Sequence, residues 1–368
     1  MDVAKLIIVF ASCLLMFTSC CHSSSHFNKQ STSLFIFGDS LFDPGNNNYI
    51  NTTISLQANF TPYGISYFHP PSGRFSNGRV IPDFIAEFAS LPLIPAYFNP
   101  QNREYSYGAN FASGGSGALV ETVPGLVMDL KSQLRCFGDL RKQLRKRLGD
   151  EKTEHMLADA VYLLSSGNND YLSLVSNNNS IYHNYTNEQY VKMVVGNMTR
   201  VIKGIHKRGG RKFGILTTMP LACCPGIRAF QVGNTNCNQQ LGILTSLHNQ
   251  ILSKKLKKLE KKLDGFKYAN FDISTAVSNR MKNPSKYGFK VSDSACCGSG
   301  PFRGINSCGG KRGIKEFELC DNINDYVFFD ALHPTEVANR QYAKLFWNGD
   351  SNVTTPYNLK TLFQGEQL

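Results

Sequence analysis

The sequence predicts an α/β fold, a mostly parallel sheet with helices on both faces. Three observations carry that expectation. Short apolar runs of strand length recur at "SLFIF" (33–37), "AVYLLSSG" (160–167), "KFGILTT" (212–218) and "YVFFD" (326–330). Helix-length amphipathic patterns lie between them, and polar clusters follow directly on the first, second and last runs. Strands buried on both faces read as continuous apolar runs, and their alternation with helices suits a parallel sheet.

In chain order, Lys5 precedes an apolar run from Leu6 to Phe17, and small and polar residues follow. That order reads as a secretory signal peptide over residues 1–25, with cleavage between Ser19 and Ser25; the run is short for a bilayer span. Residues 26–368 read as a single domain, with no linker, internal repeat or low-complexity tract to divide them. "SLFIF" ends at Gly38 as a buried strand does. In 188–208, Val191, Val194, Val195, Met198, Val201, Ile202 and Ile205 recur at helical spacing, and Gly209–Gly210 supplies the stop. A second helix over 238–263 carries Leu244, Leu247, Ile251, Leu259 and Leu263. The basic stretches "RKQLRKRLG" (141–149) and "KKLKKLEKKL" (254–263) read as solvated helix faces, and "SNNNSIYHNYTN" (176–187) as an exposed loop.

Composition narrows the class. With 42% hydrophobic and 18% charged residues, the chain is an ordinary globular protein rather than a disordered one. The net charge of +12 points to acidic surroundings such as pectin-like wall polymers. No zinc-finger spacing or RNP-type aromatic signature accompanies it, so nucleic acid is not the expected partner. No later stretch is long and apolar enough for a membrane span. Behind the signal, eight of the eleven cysteines form an even set: Cys136, Cys223, Cys224, Cys237, Cys296, Cys297, Cys308 and Cys320. In a secreted chain disulfides are their expected use, and they lack the paired C-x-x-C spacing of a structural zinc site. Sequons begin at Asn51, Asn59, Asn178, Asn184, Asn197 and Asn352, so glycosylation is expected. The secretory route, ending extracellularly or in the cell wall, is the predicted location.

The clusters after the runs carry the chemistry. Gly38-Asp39-Ser40 follows the first, Ser166 to Asp170 the second, and Asp330-Ala331-Leu332-His333-Pro334 the last; "SYGANFASGGSG" (106–117) lies between. In open α/β sheets ligands bind beyond the carboxyl ends of the strands. Ser40 alone reads more readily as a cap on the following turn. Asp39 suits a turn-holding role. A serine becomes a nucleophile when a neighbouring base takes its proton, and His333 is of the right type. Asp330, three residues earlier, can meet the other ring nitrogen and orient the imidazole. Backbone N–H groups at Ser40 and Gly114, with the Asn169 side-chain amide, are donors for a developing oxyanion; Gly115 and Gly117 offer alternative registers. Taken jointly, these types at strand ends make Ser40 the expected nucleophile.

"FIFGDSLFDPGNNN", "YGANFASGGSG", "GNND" and "DALHP" resemble the blocks of the GDSL esterase/lipase family of SGNH hydrolases, and "PYGISYFHPPSGRFSNGRVIPDF" and "PLACCPG" resemble its secreted plant branch. The resemblance runs from about residue 33 to 348. It implies a flavodoxin-like three-layer α/β/α fold, with Ser40 as nucleophile, His333 as base, Asp330 as its partner, and oxyanion roles for Gly114 and Asn169. It implies no metal and no organic cofactor. No G-x-S-x-G elbow occurs, which separates the chain from α/β-hydrolases. The adjacent cysteines of "PLACC" depart from the family pattern and leave the disulfide pairing open. The expected activity is hydrolysis of carboxylic esters (lipid, acetyl or other acyl esters). The alternatives are transfer of the same acyl group to an alcohol, and a non-catalytic wall- or partner-binding glycoprotein.

Overall fold

Strand β1 (Leu34–Gly38) is buried along its whole length and pairs in parallel with β2 (Gly108–Asn110) on one side and β3 (Val161–Ser165) on the other. Strands β4 (Lys212–Leu216) and β5 (Lys267–Phe271) continue the parallel sheet beyond β3. The chain then forms two small ladders, in which β6 (Val291–Ala295) pairs with β9 (Tyr326–Phe328) and β7 (Cys297–Gly298) with β8 (Glu318–Leu319). It returns as β10 (Thr354–Pro356), antiparallel to β5. The central order is β2-β1-β3-β4-β5-β10, the flavodoxin-like winding plus one antiparallel edge strand. This computed structural model describes residues 32–102, 104–175, 184–231, 236–310 and 312–365; the expected signal peptide and Asn178 lie outside them.

The helices are α1 (Ile81–Phe88), α2 (Leu130–Leu148), α3 (Asp150–Asp159), α4 (Asn168–Val175), α5 (Asn187–Lys207), α6 (Pro225–Ala229), α7 (Gln239–Lys262), α8 (Ile273–Lys282), α9 (Glu336–Asn348) and α10 (Leu359–Gln364). Alternation along the strands decides which cover which face. Phe35, Phe37 and Tyr162 project toward α2, where each ring lies 5.4–5.7 Å from that of Phe137. Helix α5 joins α2 there, and α7 packs on α5. Gly214, on the opposite face of β4, leaves room for Leu359 and Phe346, so α9 and α10 cover that side with α1. The result is a three-layer α/β/α arrangement.

The expected helix over 188–208 is α5. Thr186 and Gln189 cap its first turn reciprocally, and Gly209, at φ +113°, ends it. The helix over 238–263 is α7, and only part of its leucine set forms the buried seam. Leu241, Leu244, His248, Leu252, Leu256 and Leu259 lie inside, whereas Leu247, Ile251 and Leu263 are only partly buried. The seam counts a histidine among its apolar positions, which rotates it away from the leucines alone. "YVFFD" forms β9 of a small ladder and not a strand of the central sheet. The fifth parallel strand is instead "KYANF", whose charged and polar residues hide it from an apolar-run search.

Six of the eight expected cysteines pair, as Cys223–Cys237, Cys296–Cys320 and Cys297–Cys308. Cys136 and Cys224 remain thiols. In "PLACC", Cys223 turns out to Cys237, and Cys224 is left in the core, where burial pushes its thiol up to about 12. The basic 141–149 face carries exposed ion pairs, among them Arg145–Asp150 and Arg141–Glu154, as a solvated face should. Among the described sequons Asn51, Asn59, Asn184 and Asn352 are exposed. Asn197 is half-buried within α5, its amide donating to the Met193 carbonyl. Among the described residues no helix is long and apolar enough to cross a membrane.

Candidate active site

The strand order places Ser40 where β1 meets β3, at the point from which the sheet winds outward in both directions. Gly38 ends β1 at φ +145°, and a Cβ there would lie 2.4 Å from the Ser165 carbonyl oxygen, so only glycine fits. The chain turns at Asp39, whose carbonyl accepts the N–H groups of Phe42 and Asp43. Its buried carboxylate accepts from the Leu41 N–H, the Ser165 hydroxyl and the Asn168 amide. Asn168 accepts the Met219 N–H in turn. One acid and one amide therefore tie together the carboxyl ends of β1, β3 and β4. Burial raises the Asp39 pKa to about 6, against the lowering effect of those bonds. Asp39 holds the turn, and Ser40 is left half-exposed beyond it.

A second buried acid positions the glycine-rich block. Asp43 accepts the N–H groups of Gly45 and Asn46 on one oxygen and that of Gly114, at 2.7 Å, on the other. Asn47 donates to the carbonyls of Leu56 and Gly114. The Gly114 N–H is thus already occupied. Its missing side chain has a packing reason, since a Cβ would strike the Phe75 ring at 2.5 Å. Gly117 has another, since a Cβ there would meet Thr122 and Asp170. Gly115, at φ +83°, is the glycine of this block that lines the cavity beside Ser40. Neither its N–H nor that of Ser40 has an acceptor among the described residues. Asn169, in the first turn of α4, lines the same cavity and donates to the Ser116 carbonyl at 2.9 Å.

The segment after β9 completes the site. Asp330 caps its own turn: one carboxylate oxygen, Oδ1, accepts the N–H groups of Leu332 (2.9 Å) and His333 (2.8 Å). The same carboxylate faces His333 Nδ1 at 2.8 and 2.9 Å. His333 Nε2 lies 2.8 Å from Ser40 Oγ. Burial pushes the Asp330 carboxyl up, but the His333 charge and the bonds from His333, Tyr63 and Leu332 outweigh it, holding the group well below the usual carboxylate range. The Phe75 ring, 5.0 Å from the imidazole centroid, backs His333 on the side of Gly114.

Leu41, Leu56, Leu172, Met219, Leu221 and Leu332 wall the cavity in front of Ser40, which holds about 130 Å³. A larger hollow, about 680 Å³, lies away from these groups between α7, α8 and the 352–355 segment. Its lining offers lysines, serines, threonines, amides and Asp272 but neither histidine nor cysteine, so no serine–histidine pair stands in it. The residues that sequence reasoning missed are mostly supports: Asp43, Asn47, Asn168 and Tyr63. The last lies inside "PYGISYF", and its hydroxyl donates to Asp330 Oδ2 at 2.6 Å. Asp43-Pro44-Gly45 is a turn signature that could have identified one of them.

Residues 34–346 match the model of the GDSL-like Lipase/Acylhydrolase family. A GDSL lipase of Tanacetum cinerariifolium is 58% identical, over 98% of this chain and 94% of its own. GDSL esterase/lipase 1 of Arabidopsis thaliana is 50% identical over 94% and 93%, and GDSL esterase/lipase 2 of the same plant 49% identical over 98% of each. By the extent of the family match and the near-complete coverage of these relatives, the chain belongs to the GDSL-like lipase/acylhydrolase family.

Proposed function

We propose that the protein hydrolyses carboxylic esters through an acyl-enzyme on Ser40. The observation that carries this reading is the unbroken chain from Ser40 Oγ to His333 Nε2 and from Nδ1 to Asp330, at 2.8 Å and 2.8–2.9 Å. Ser40 Oγ attacks the ester carbonyl carbon as His333 takes its proton. Asp330 holds the ring and stabilises the imidazolium. The oxyanion forms against the N–H groups of Ser40 and Gly115 and the Asn169 amide, with Gly115 taking the place expected of Gly114. Collapse expels the alcohol, protonated by His333. Water, activated by the same base, then releases the acid. Three disulfides suit an oxidising compartment and support secretion of the folded enzyme. The exposed lysines of α7 suit acidic wall polymers as neighbours of the enzyme.

The test is intact-mass labelling with a fluorophosphonate. The reading expects one adduct on the wild type, none on Ser40→Ala and little on His333→Ala. A folded wild type that never labels, or Ser40→Ala labelling as fast as wild type, overturns it.

A further inference from the structure

Behind Asp330 the hydrogen-bonded chain continues for two more residues. Tyr63, 1% exposed, donates its hydroxyl proton to Asp330 Oδ2 at 2.6 Å. Arg312, 4% exposed, donates through Nη1 to the Tyr63 oxygen at 3.1 Å and to Asn306 Oδ1 at 2.6 Å, and through Nη2 to the Gln57 carbonyl at 3.2 Å. The rings of Phe60 and Tyr63 lie 5.2 and 5.3 Å from the guanidinium carbon. Among the described residues no carboxylate pairs with Arg312, and its Nε has no acceptor.

A cation buried among neutral partners is costly. Nor does stability alone call for one, because a buried charge is often replaced by apolar groups without loss. Through Tyr63, the acid that Arg312 reaches is Asp330. The direction of each bond is also fixed. Arg312 can only donate, so Tyr63 accepts from it and turns its single proton toward Asp330. The rest of the surroundings add few charges: Asp39 lies on the Ser40 side of His333, and Cys224 stands near Asp330 as a neutral thiol.

We propose that Tyr63 and Arg312 are positioning residues for the reaction, a buried phenol and guanidinium that fix the Asp330 carboxylate and moderate its field on His333. The proposal rests on the acyl-enzyme reading above. Tyr63 pins Oδ2 so that both carboxylate oxygens face Nδ1. The Arg312 charge offsets part of the negative potential that the Asp330 carboxylate places on the imidazole. Arg312 sits on the segment enclosed by the Cys296–Cys320 disulfide, and its partner Asn306 lines the cavity. The mouth of the substrate site and the acid of the catalytic chain therefore share one guanidinium.

The test compares wild type, Tyr63→Phe, Arg312→Met and Arg312→Lys by fluorophosphonate labelling rate and short-chain ester hydrolysis across pH, with melting temperatures alongside. Tyr63→Phe keeps the ring and is expected to lower kcat about tenfold to a hundredfold, the scale of a lost hydrogen bond to a charged group, with KM within about twofold. Removing the cation favours the imidazolium, so Arg312→Met is expected to move the acidic limb of kcat/KM to higher pH by about half a unit or more, and Arg312→Lys to bring it back. Folded variants with wild-type rates and an unmoved limb overturn the relay alone. So does a loss of melting temperature with neither kinetic change, or failure of all three variants to fold, either of which makes the pair purely structural. If Tyr63→Phe alone fails to fold, the methionine–lysine comparison decides. A wild type that never labels overturns the acyl-enzyme reading, and the relay with it.

Discussion

Asp330→Asn separates two roles that one carboxylate performs. In many arrangements such a change turns an amide NH₂ toward the histidine and forces the wrong tautomer. Here the backbone decides otherwise. The N–H groups of Leu332 and His333 both point at Oδ1, so an asparagine must place its oxygen there, and that oxygen still lies 2.8 Å from His333 Nδ1. The amide NH₂ then takes the Oδ2 place, where it meets the Tyr63 hydroxyl, which must turn to accept from it. With the oxygen at Oδ1 the tautomer is retained and the charge is lost. For charges about 4 Å apart at an effective dielectric near 20, the lost attraction is about 4 kcal/mol, roughly a thousandfold in rate. Asp330→Ala also strands those donors and the Tyr63 hydroxyl, and should be slower still. The assay is kcat/KM on a short p-nitrophenyl ester across pH, with refolding controls. The imidazolium loses its counter-charge in Asp330→Asn, so the acidic limb should move to lower pH. An asparagine variant as slow as alanine, or a limb moving upward, would refute the argument that Oδ1 alone fixes the tautomer.

The remaining predictions concern the supports. Gly115→Ala strains a φ of +83° and puts a Cβ 2.7 Å from Leu56, so kcat should fall about a hundred- to a thousandfold while Gly114→Ala, striking Phe75, chiefly lowers the melting temperature; the reverse ranking in paired kinetic and melting measurements would sink the Gly115 register. Asp43 is raised by burial to about 6 from an ordinary 3.8, so the folded state holds its proton more tightly and the protein loses stability as pH rises through that window. Asn does not titrate, so the stability gap between wild type and Asp43→Asn should narrow from pH 4 to 6.5 by up to roughly 3 kcal/mol. Denaturant titrations at both pH values check it, and a gap that is constant or widens contradicts the assignment.

What was legible in the sequence follows physical lines. Ser40, Asp330 and His333 could be read because each follows a short apolar run, and because an acid three residues before a histidine can cap the turn that presents it. Gly115 stands in our proposal where the sequence pointed to Gly114, because nothing in a glycine-rich run shows which N–H is free. That is decided by Asp43, 71 residues earlier, whose carboxylate claims the Gly114 proton. Tyr63 was invisible for the same reason: it meets Asp330 across 267 residues. The full α7 seam was not legible because His248 serves as a core residue, its Nδ1 2.8 Å from the Tyr171 hydroxyl and its pKa lowered by burial to about 3. "KYANF" failed as a run because Lys267 and Asn270 interrupt it, although its last four residues are buried.

The two halves of the site rest on different cores, and this determines what must hold them in register. Ser40, Gly115 and Asn169 stand on the carboxyl ends of the central sheet. Asp330 and His333 stand on a satellite core of Tyr63, Phe75, Phe329 and the disulfides Cys296–Cys320 and Cys297–Cys308. A displacement of about 1 Å between the halves would cost on the order of a hundredfold in rate. The segment from Tyr63 to Arg79 spans the gap. Phe75 fills the space between Gly114 and His333. Ser76 donates to the Pro334 carbonyl, Asn77 accepts the Glu336 N–H at 2.8 Å, and Arg79 pairs with Glu336 at 2.6 Å. Arg74 is locked by a buried two-pronged pair with Asp83 of α1, at 2.7 and 2.8 Å. The stretch "SGRFSNGR" is therefore the clamp that fixes the distance between His333 and Ser40, even though it contributes no group to their hydrogen-bonded chain.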